Sequence, residues 1–284
     1  MGSRVADLLA PKVLILAYHR VTRLDPDAQQ LAVRPERFRA QLARLKAALP
    51  VVRFEDDWNR LAEPAAVVTF DDGYADNLLE ALPILEALEV PATFFVTTGN
   101  VESGREFWWD ELERLAGTFG PASYGDLHGE LKRLDPEQRE ARMEALRKGT
   151  GPGAARASHR PLTVDEVRRL GSSRYATVGA HGVTHTALAA LPPPRQREEM
   201  AVSRSRLESW LGRPSTVFSF PFGGRRDFTS GTVRLCAEVG FTKAAANVPG
   251  CARRWSHPHR LPRHLVRDWE AAEFERRLAE FLRT

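Results

Sequence analysis

Six short apolar runs, separated by stretches with helical spacing, are the feature that most constrains the fold of this chain. They are continuous rather than alternating in polarity, which is typical of strands covered on both faces. Their sequences are VLILAY (13–18), AVVTF (66–70), TFFVT (93–97), ATVGA (176–180), TVFSF (216–220) and TKAAA (242–246). Apolar residues recur at helical spacing in residues 35–49, 77–89, 195–211 and 230–240. Strands that alternate with helices predict an α/β protein with a parallel sheet or a barrel.

Residues 110–170 interrupt this alternation. The segments DELERLAG, DLHGELKRL, PEQREARMEALRKG and TVDEVRRL are typical of helices, and no strand pattern lies between them. GTGPGAARAS (149–158) is typical of a loop because glycine and proline break regular structure. We therefore predict a helical insertion of about residues 110–170 within a single domain that spans residues 1–284.

Length and composition are those of an ordinary globular protein. The chain has 284 residues, of which 43% are apolar and 27% charged, enough for one large α/β domain or two small ones. Its two cysteines, Cys236 and Cys251, have no CxxC spacing. This spacing excludes a cysteine zinc site and argues against a disulfide framework, while one disulfide between the two stays open.

The charge and the N-terminal pattern bear on partners and location. The net charge is +4, with basic residues concentrated in residues 147–160 and 251–264. Such a patch can attract acidic ligands, but an ordinary arginine-rich surface has the same composition, and we expect no nucleic-acid partner. The first apolar run has only six residues, too few for a signal sequence or a membrane span. We expect a cytoplasmic protein, unless a leader has been removed.

Polar side chains follow the predicted strands at the point where each strand ends. Asp71 and Asp72 come directly after AVVTF, and His181 follows ATVGA with His185 four residues later. His19 follows VLILAY, and SFPFGG (219–224) ends another strand. In parallel α/β folds, functional residues gather at the carboxyl ends of the strands. We therefore expect these side chains to lie close together.

Two adjacent carboxylates at the end of an apolar strand must be solvated, protonated or neutralised by a cation. One aspartate with two histidines suits Zn²⁺ or a similar divalent metal and leaves positions open for water and substrate. The second carboxylate would then be free to act as a base. Each motif alone has a plainer explanation, since Asp-Gly is a common turn and two spaced histidines can lie on a surface. Their joint occurrence at strand ends favours a metal site.

Several motifs resemble those of the polysaccharide deacetylase family, also known as the NodB-homology domain or carbohydrate esterase family 4. The resemblance covers about residues 13–267 and rests on TFDDGY (69–74), HGVTH (181–185) and SFPFG (219–223), with ALPILEALEVPATFFVTTGNV and FWWDEL between them. It implies a distorted (β/α)-barrel with fewer than eight regular repeats. It also implies metal-assisted hydrolysis of a sugar N-acetyl group, which releases acetate and a free amine.

The resemblance assigns roles residue by residue. Asp71 would be the general base, and Asp72, His181 and His185 would bind the metal, for which Zn²⁺ is the first expectation and Co²⁺ or Ni²⁺ would also suit. The backbone N–H of Phe222 would contribute to the oxyanion hole. Substrate contacts are expected from Tyr74, Pro221, Trp109 and Arg263, although the tryptophan could equally be a core residue.

The chain departs from the family pattern at several positions. Gly182 replaces the Ser or Thr of the second motif, Ser219 replaces the Arg of the third, and no fourth motif is evident. AYHRV near the N-terminus resembles the subgroup that includes poly-N-acetylglucosamine deacetylases, in which motif order is permuted and an early histidine supplies the acid. We therefore expect His19 to be the general acid, with His264 as the alternative.

The remaining histidines and the substrate leave further expectations. No role is expected for His128, His159, His257 or His259. The partner is expected to be an N-acetylated carbohydrate. Two other functions stay open: deacetylation of a small biosynthetic intermediate, and glycan binding by a relic of the fold that has lost catalysis.

Overall fold

A computed structural model gives the fold and describes residues 11–116, 122–147 and 153–284. Seven strands in these ranges form one all-parallel sheet, in the spatial order β8-β7-β6-β5-β4-β1-β9, and β2 pairs with β3 beside it. The strands are β1 (Val13–Tyr18), β2 (Arg20–Val21), β3 (Ala32–Val33), β4 (Ala65–Phe70), β5 (Ala92–Val96), β6 (Ala176–Ala180), β7 (Val217–Ser219), β8 (Lys243–Ala245) and β9 (His264–Leu265). All six predicted strands are confirmed.

The sheet curls towards closure between its two edge strands. Ala245 at the end of β8 makes a parallel bridge to Leu261, and a few residues later β9 pairs with β1. Residues 261–265 therefore pass from one edge of the sheet to the other. We call them the closing segment.

Helices cover the outside of the sheet. In the described ranges they are α1 (Pro35–Ala48), α2 (Leu82–Leu88), α3 (Thr98–Ser103), α4 (Trp108–Ala116), α5 (Ala122–Leu131), α6 (Pro136–Arg147), α7 (Val164–Ser172), α8 (Pro193–Leu211), α9 (Ser230–Val239) and α10 (Ala271–Phe281). A π-helical turn, Asn77–Ala81, precedes α2. None of these helices is long and apolar enough to cross a bilayer.

Both faces of the sheet are buried, as the continuous apolar runs predicted. Val13 and Ile15 of β1 pack towards the barrel centre with Phe95 and Val217. Residues of the opposite face, such as Leu14, pack in a larger cluster beneath the helices. Burial on both sides explains why these strands show no alternation of polar and apolar residues.

The predicted insertion contains helices α4 to α6 with a small core of their own. Leu112, Leu131 and Met143 form that core. Helix α7 packs against β6 instead, so it belongs to the barrel although the sequence placed it in the insertion. Of the predicted loop GTGPGAARAS, residues 149–152 lie outside the described residues. The insertion therefore leaves the barrel after β5 and α3 and returns before β6.

Candidate active site

The carboxyl ends of the strands surround one pocket of about 170 Å³. The predicted site residues His19, Asp71, Asp72, Trp109, His181, His185 and Phe222 all line it. Five residues that the sequence did not single out complete the lining, namely Gln29, Leu31, Asn247, Leu265 and Arg267. We predicted that polar side chains at the ends of separate strands would lie close together, and they do line the same cavity.

Asp72, His181 and His185 form a buried cluster whose ligand atoms all lie within 4.8 Å of one another. The Nε2 atoms of His181 and His185 lie 3.5 and 3.1 Å from Asp72 Oδ1. His181 Nδ1 is 2.7 Å from the Ser219 carbonyl, which can only accept, so Nδ1 carries the proton. In the neutral ring, Nε2 then carries a lone pair that faces the Asp72 carboxylate. Two acceptors at this distance fit a shared cation.

Electrostatics keep these groups in the forms that bind a metal. Burial disfavours the ionised Asp72, but the adjacent imidazoles of His181 and His185 outweigh it and hold the pKa of Asp72 well below its usual range. Burial lowers the pKa of His185 to about 4, although Asp72 opposes this shift. The carboxylate is therefore ionised and His185 is neutral at neutral pH, as metal ligands must be.

Asp71 is clamped by Arg263 from the closing segment. The guanidinium donates from Nη1 to Oδ1 at 2.8 Å and from Nη2 to Oδ2 at 2.6 Å. It also donates to Ser219 Oγ at 2.9 Å and Thr69 Oγ1 at 3.1 Å. Burial opposes ionisation of Asp71, but the charge of Arg263, assisted by His181, holds its pKa below the usual value.

This clamp accounts for the Ser219 departure and revises the expectation for Arg263. An arginine distant in sequence supplies the guanidinium, and the smaller Ser219 accepts a hydrogen bond from it. The Arg263 side chain is 0% exposed. A contact with substrate, which the sequence predicted for this residue, is not available to a side chain with no exposed surface.

Glu199 of α8 holds the loop that carries the two histidines. Its Oε2 accepts hydrogen bonds from the backbone N–H groups of Val183 and Thr184 at 2.8 and 3.0 Å, and its Oε1 accepts from the Thr184 hydroxyl at 2.8 Å. Gly182 has φ +77°, a conformation that favours glycine. The missing hydroxyl at Gly182 is thus replaced by a carboxylate from outside the motif.

The backbone at Phe222 is positioned by Asn247, which follows β8. Phe222 has φ +60°, and the Asn247 side chain donates to its carbonyl at 2.8 Å. No acceptor lies opposite the Phe222 N–H among the described residues. The Phe222 ring packs 4.7 Å from His185. A free N–H on a residue that lines the pocket is one requirement of an oxyanion hole.

The two candidate acids occupy different environments. His19 lines the pocket, and its Nδ1 has no hydrogen-bond partner among the described residues. His264 accepts a hydrogen bond from the Gly250 N–H at 3.1 Å, and its ring stacks on Phe281 at 4.1 Å. It is not among the pocket residues. The geometry therefore favours His19 over His264.

Comparison with known proteins agrees with this geometry. The profile of the polysaccharide deacetylase family matches residues 59–244, more than half of the chain. The chain belongs to this family. A curated relative, "Putative polysaccharide deacetylase YxkH" of Bacillus subtilis (strain 168), is 22% identical over 193 residues, which are 68% of this chain and 48% of that protein. The chain thus spans about half the length of this relative.

Solved structures share the fold of this member of the polysaccharide deacetylase family. Streptococcus pyogenes deacetylase PplD in complex with acetate matches with a TM-score of 0.66 and 18% identity, over 94% of this chain and 98% of that one. IcaB from Ammonifex degensii matches with a TM-score of 0.65 and 18% identity, over 96% and 98%. At such identities the likeness shows a common fold, which confirms the distorted (β/α)-barrel.

Three further residues expected to contact substrate form the wall of the pocket. Trp109 is 2% exposed, and its ring lies 4.5 Å from that of His185. Its Nε1 donates to the Tyr74 hydroxyl at 2.8 Å, and Tyr74 is 0% exposed. Pro221 is also buried. Tyr74 and Pro221 are not among the pocket residues, so they shape the wall from behind.

Sequence reasoning missed Asn247 and Arg267. Asn247 follows β8 closely, so the strand-end rule applied to TKAAA could have found it. Arg267 Nη1 donates to the Gln29 carbonyl at 2.9 Å and so ties the loop between β2 and β3 to the pocket rim. No sequence signal marks that contact, because both residues lie in irregular segments.

Proposed function

We propose that this polysaccharide deacetylase family member hydrolyses the N-acetyl group of an acetylated sugar and releases acetate and a free amine. The observation that carries the proposal is the placement of two carboxylates in one pocket with different partners. Asp71 pairs with Arg263, and Asp72 faces two histidines. One carboxylate is thus available for proton transfer and the other for a metal. The similar PplD, named as a deacetylase in complex with acetate, supports this reaction.

A divalent metal held by Asp72, His181 and His185 would lower the pKa of a bound water and polarise the acetyl carbonyl. Zn²⁺ is the first expectation for this donor set, and Co²⁺ or Ni²⁺ is also compatible with it.

The chain's own groups would move the protons. Asp71 would take a proton from the attacking water, because Arg263 keeps its carboxylate ionised and oriented. The Phe222 N–H would donate to the oxygen that becomes negative as the carbonyl carbon turns tetrahedral. His19 would protonate the sugar nitrogen as its bond to the acetyl carbon breaks. The two products would be acetate and the amine.

The electrostatics of His19 are compatible with an acid role. Burial lowers its pKa, and the negative charges of Asp72 and Asp71 offset this shift only in part. The protonated imidazole is therefore a stronger acid than a free histidine, which suits donation to a departing nitrogen that leaves poorly as an anion. Because burial favours the neutral ring, His19 would have to take up that proton before the nitrogen leaves.

The size of the pocket favours a substrate that enters by one end. Its volume of about 170 Å³ is smaller than the roughly 300–1,000 Å³ of pockets that enclose a drug-sized ligand. The cavity would hold the acetamido group and part of its ring, and the rest of a glycan would lie outside. The buried Asp71–Arg263 pair argues against a binding relic, because such pairs seldom add stability over apolar residues.

Acetate release tests the proposal. Purified protein would be incubated with N-acetylated monosaccharides, chito-oligomers, peptidoglycan fragments and β-1,6-linked N-acetylglucosamine oligomers, after chelation and after addition of Zn²⁺ or Co²⁺. We expect metal-dependent release that Asp71→Asn abolishes. Activity on oligomers alone would identify a glycan deacetylase, whereas activity on monosaccharides alone would identify a small-molecule deacetylase. A folded, metal-loaded sample that releases no acetate from any of them would contradict the proposal.

A further inference from the structure

A second cluster of metal-ligand atoms lies outside the pocket, where the helical insertion meets the barrel. It consists of Asp110 and Glu113 on α4 and His159 in the turn that follows the insertion. One ligand atom from each lies within 4.8 Å of the others. This spacing is similar to that of the Asp72 cluster and suits atoms that share one ion at about 2.0–2.2 Å.

Each of the two carboxylates is anchored through one of its two oxygens. Glu113 Oε1 accepts a hydrogen bond from the Ala28 N–H at 2.8 Å. Asp110 Oδ2 accepts from the Tyr74 hydroxyl at 2.6 Å. The second oxygen of each carboxylate is then free to bind an ion. Ligands oriented in this way by neighbouring groups are the usual arrangement of protein metal sites.

His159 provides an independent sign that a partner belongs in this cluster. It is 6% exposed, and its Nε2 has no hydrogen-bond partner among the described residues. That nitrogen lies 4.0 Å from Glu113 Oε2. The Nδ1 atom pairs with Ser158 Oγ at 2.8 Å, which lets Nδ1 carry the proton and leaves a lone pair on Nε2. A buried lone pair aimed at a carboxylate has no direct partner there, whereas a cation would satisfy both.

One arginine and two carboxyl groups set the local charge. Arg20 lines the same cavity and its Nη1 has no hydrogen-bond partner among the described residues, but Asp76 accepts from its Nε and Nη2 at 3.0 and 2.9 Å. Glu106 is likewise paired with Arg156. In the described ranges, neither Asp110 nor Glu113 has a lysine or arginine within ion-pair distance. Burial raises the pKa of Asp110 to about 7, so binding of a divalent ion would displace the proton that Asp110 partly holds, and the two carboxylates would then balance the ion.

The space within the cluster fits a single ion or water. The cavity that Asp110, Glu113 and His159 line has a volume of about 10 Å³, close to the minimum that holds one water molecule. No organic ligand would fit. From the ligand atoms, their anchors and this space, we propose that Asp110, Glu113 and His159 bind a second divalent cation of the Zn²⁺ or Mn²⁺ type.

The position of the site gives the cation a structural role. Asp110 and Glu113 lie near the start of the insertion and His159 lies at its exit, so one ion joins the two ends of the insertion. The insertion also supplies Trp109, whose ring packs 4.5 Å from His185. A cation here would fix the wall of the active site without touching the substrate.

Metal content tests the proposal. Protein stripped by a chelator would be reloaded with Zn²⁺ or Mn²⁺, dialysed and measured by elemental analysis. We expect about two equivalents per chain in the wild type and about one in His159→Gln, because one of three ligands is lost. Asp72→Asn should lose the other equivalent, and the double variant should lose both. Glu144→Gln, which replaces an exposed glutamate of the insertion, is the matched control and should keep the wild-type content.

The metal contents of the variants distinguish a second metal site from a buried water. If His159→Gln holds as much metal as the wild type while Asp72→Asn removes it all, the cluster holds only a buried water and the proposal is wrong. Circular dichroism verifies that each variant is folded. If His159→Gln does not fold, Glu113→Gln replaces it, since its amide oxygen can still accept from the Ala28 N–H. Loss of one equivalent in that variant supports the site, and an unchanged content overturns it.

Discussion

Replacing Arg263 by methionine removes the only cation that pairs with Asp71 in the described part of the chain. The carboxylate is 1% exposed, so it would stay buried without its partner. Loss of one member of a buried ion pair costs about 3–5 kcal/mol in the free energy of unfolding. At about 2–4 °C per kcal/mol for a chain of this size class, the thermal midpoint should fall by roughly 6–20 °C.

The loss of stability in Arg263→Met should depend on pH in a defined direction. In the wild type, Arg263 lowers the pKa of Asp71, so the stability from the pair is present above the unfolded value of about 3.9 and is lost as the pH falls through the lower folded value. In Arg263→Met the largest opposing charge is gone, so burial raises the pKa of Asp71 relative to the wild type, although His181 and His19 still lower it in part. The folded variant then gains a proton as the pH falls. The difference in the free energy of unfolding between the wild type and Arg263→Met should therefore become smaller as the pH falls from 7 towards about 4.

Urea and thermal unfolding in the presence of a chelator would measure this difference without a contribution from bound metal. Arg225→Met, at an exposed arginine, is the matched control and should change stability by less than about 0.5 kcal/mol. The double variant Asp71→Asn/Arg263→Met should recover part of the loss, because the buried charge is gone. A deficit below about 1 kcal/mol at pH 7, or one that widens on acidification, would refute the reasoning.

Three other substitutions probe the catalytic base and the histidine loop. Asp71→Asn should lower acetate release by at least about 10²-fold with unchanged metal content by elemental analysis; a loss of metal would contradict its assignment as base. Glu199→Gln should weaken metal binding by about 10–100-fold in a chelator competition, because it loosens the loop before His185, and an unchanged affinity would count against that role. Gly182→Ala should lower the free energy of unfolding in urea by about 1–3 kcal/mol. The reason is that φ is +77° and the new Cβ would lie 3.1 Å from Glu199 Oε2. Wild-type stability in this variant would show that the turn relaxes.

The catalytic candidates could be predicted because each follows a strand. Asp71, Asp72 and His181 come directly after apolar runs, and parallel strands all end at the same edge of the sheet. A local pattern thus contained the long-range information, since the position of a residue after its strand fixes where it lies in the barrel.

The residues that hold these candidates in place could not be predicted, because they do not follow strands. Glu199 lies within helix α8 and Arg263 lies in a closing segment that contains Pro262, so neither has a strand pattern before it. The sequence also cannot tell which face of an element a side chain occupies. Tyr74 was expected at the substrate, and the structure places it behind the residues that line the pocket.

The closing segment has a consequence for biosynthesis. Arg263 is separated from Asp71 by 192 residues, whereas Asp72, His181 and His185 all precede it in the chain. During translation the ribosome therefore completes the proposed metal ligands well before it makes the partner of the base. Until the closing segment docks, the growing chain lacks the cation that pairs with Asp71 in the finished fold. The proposed active site is therefore completed only when the last strand of the sheet is in place.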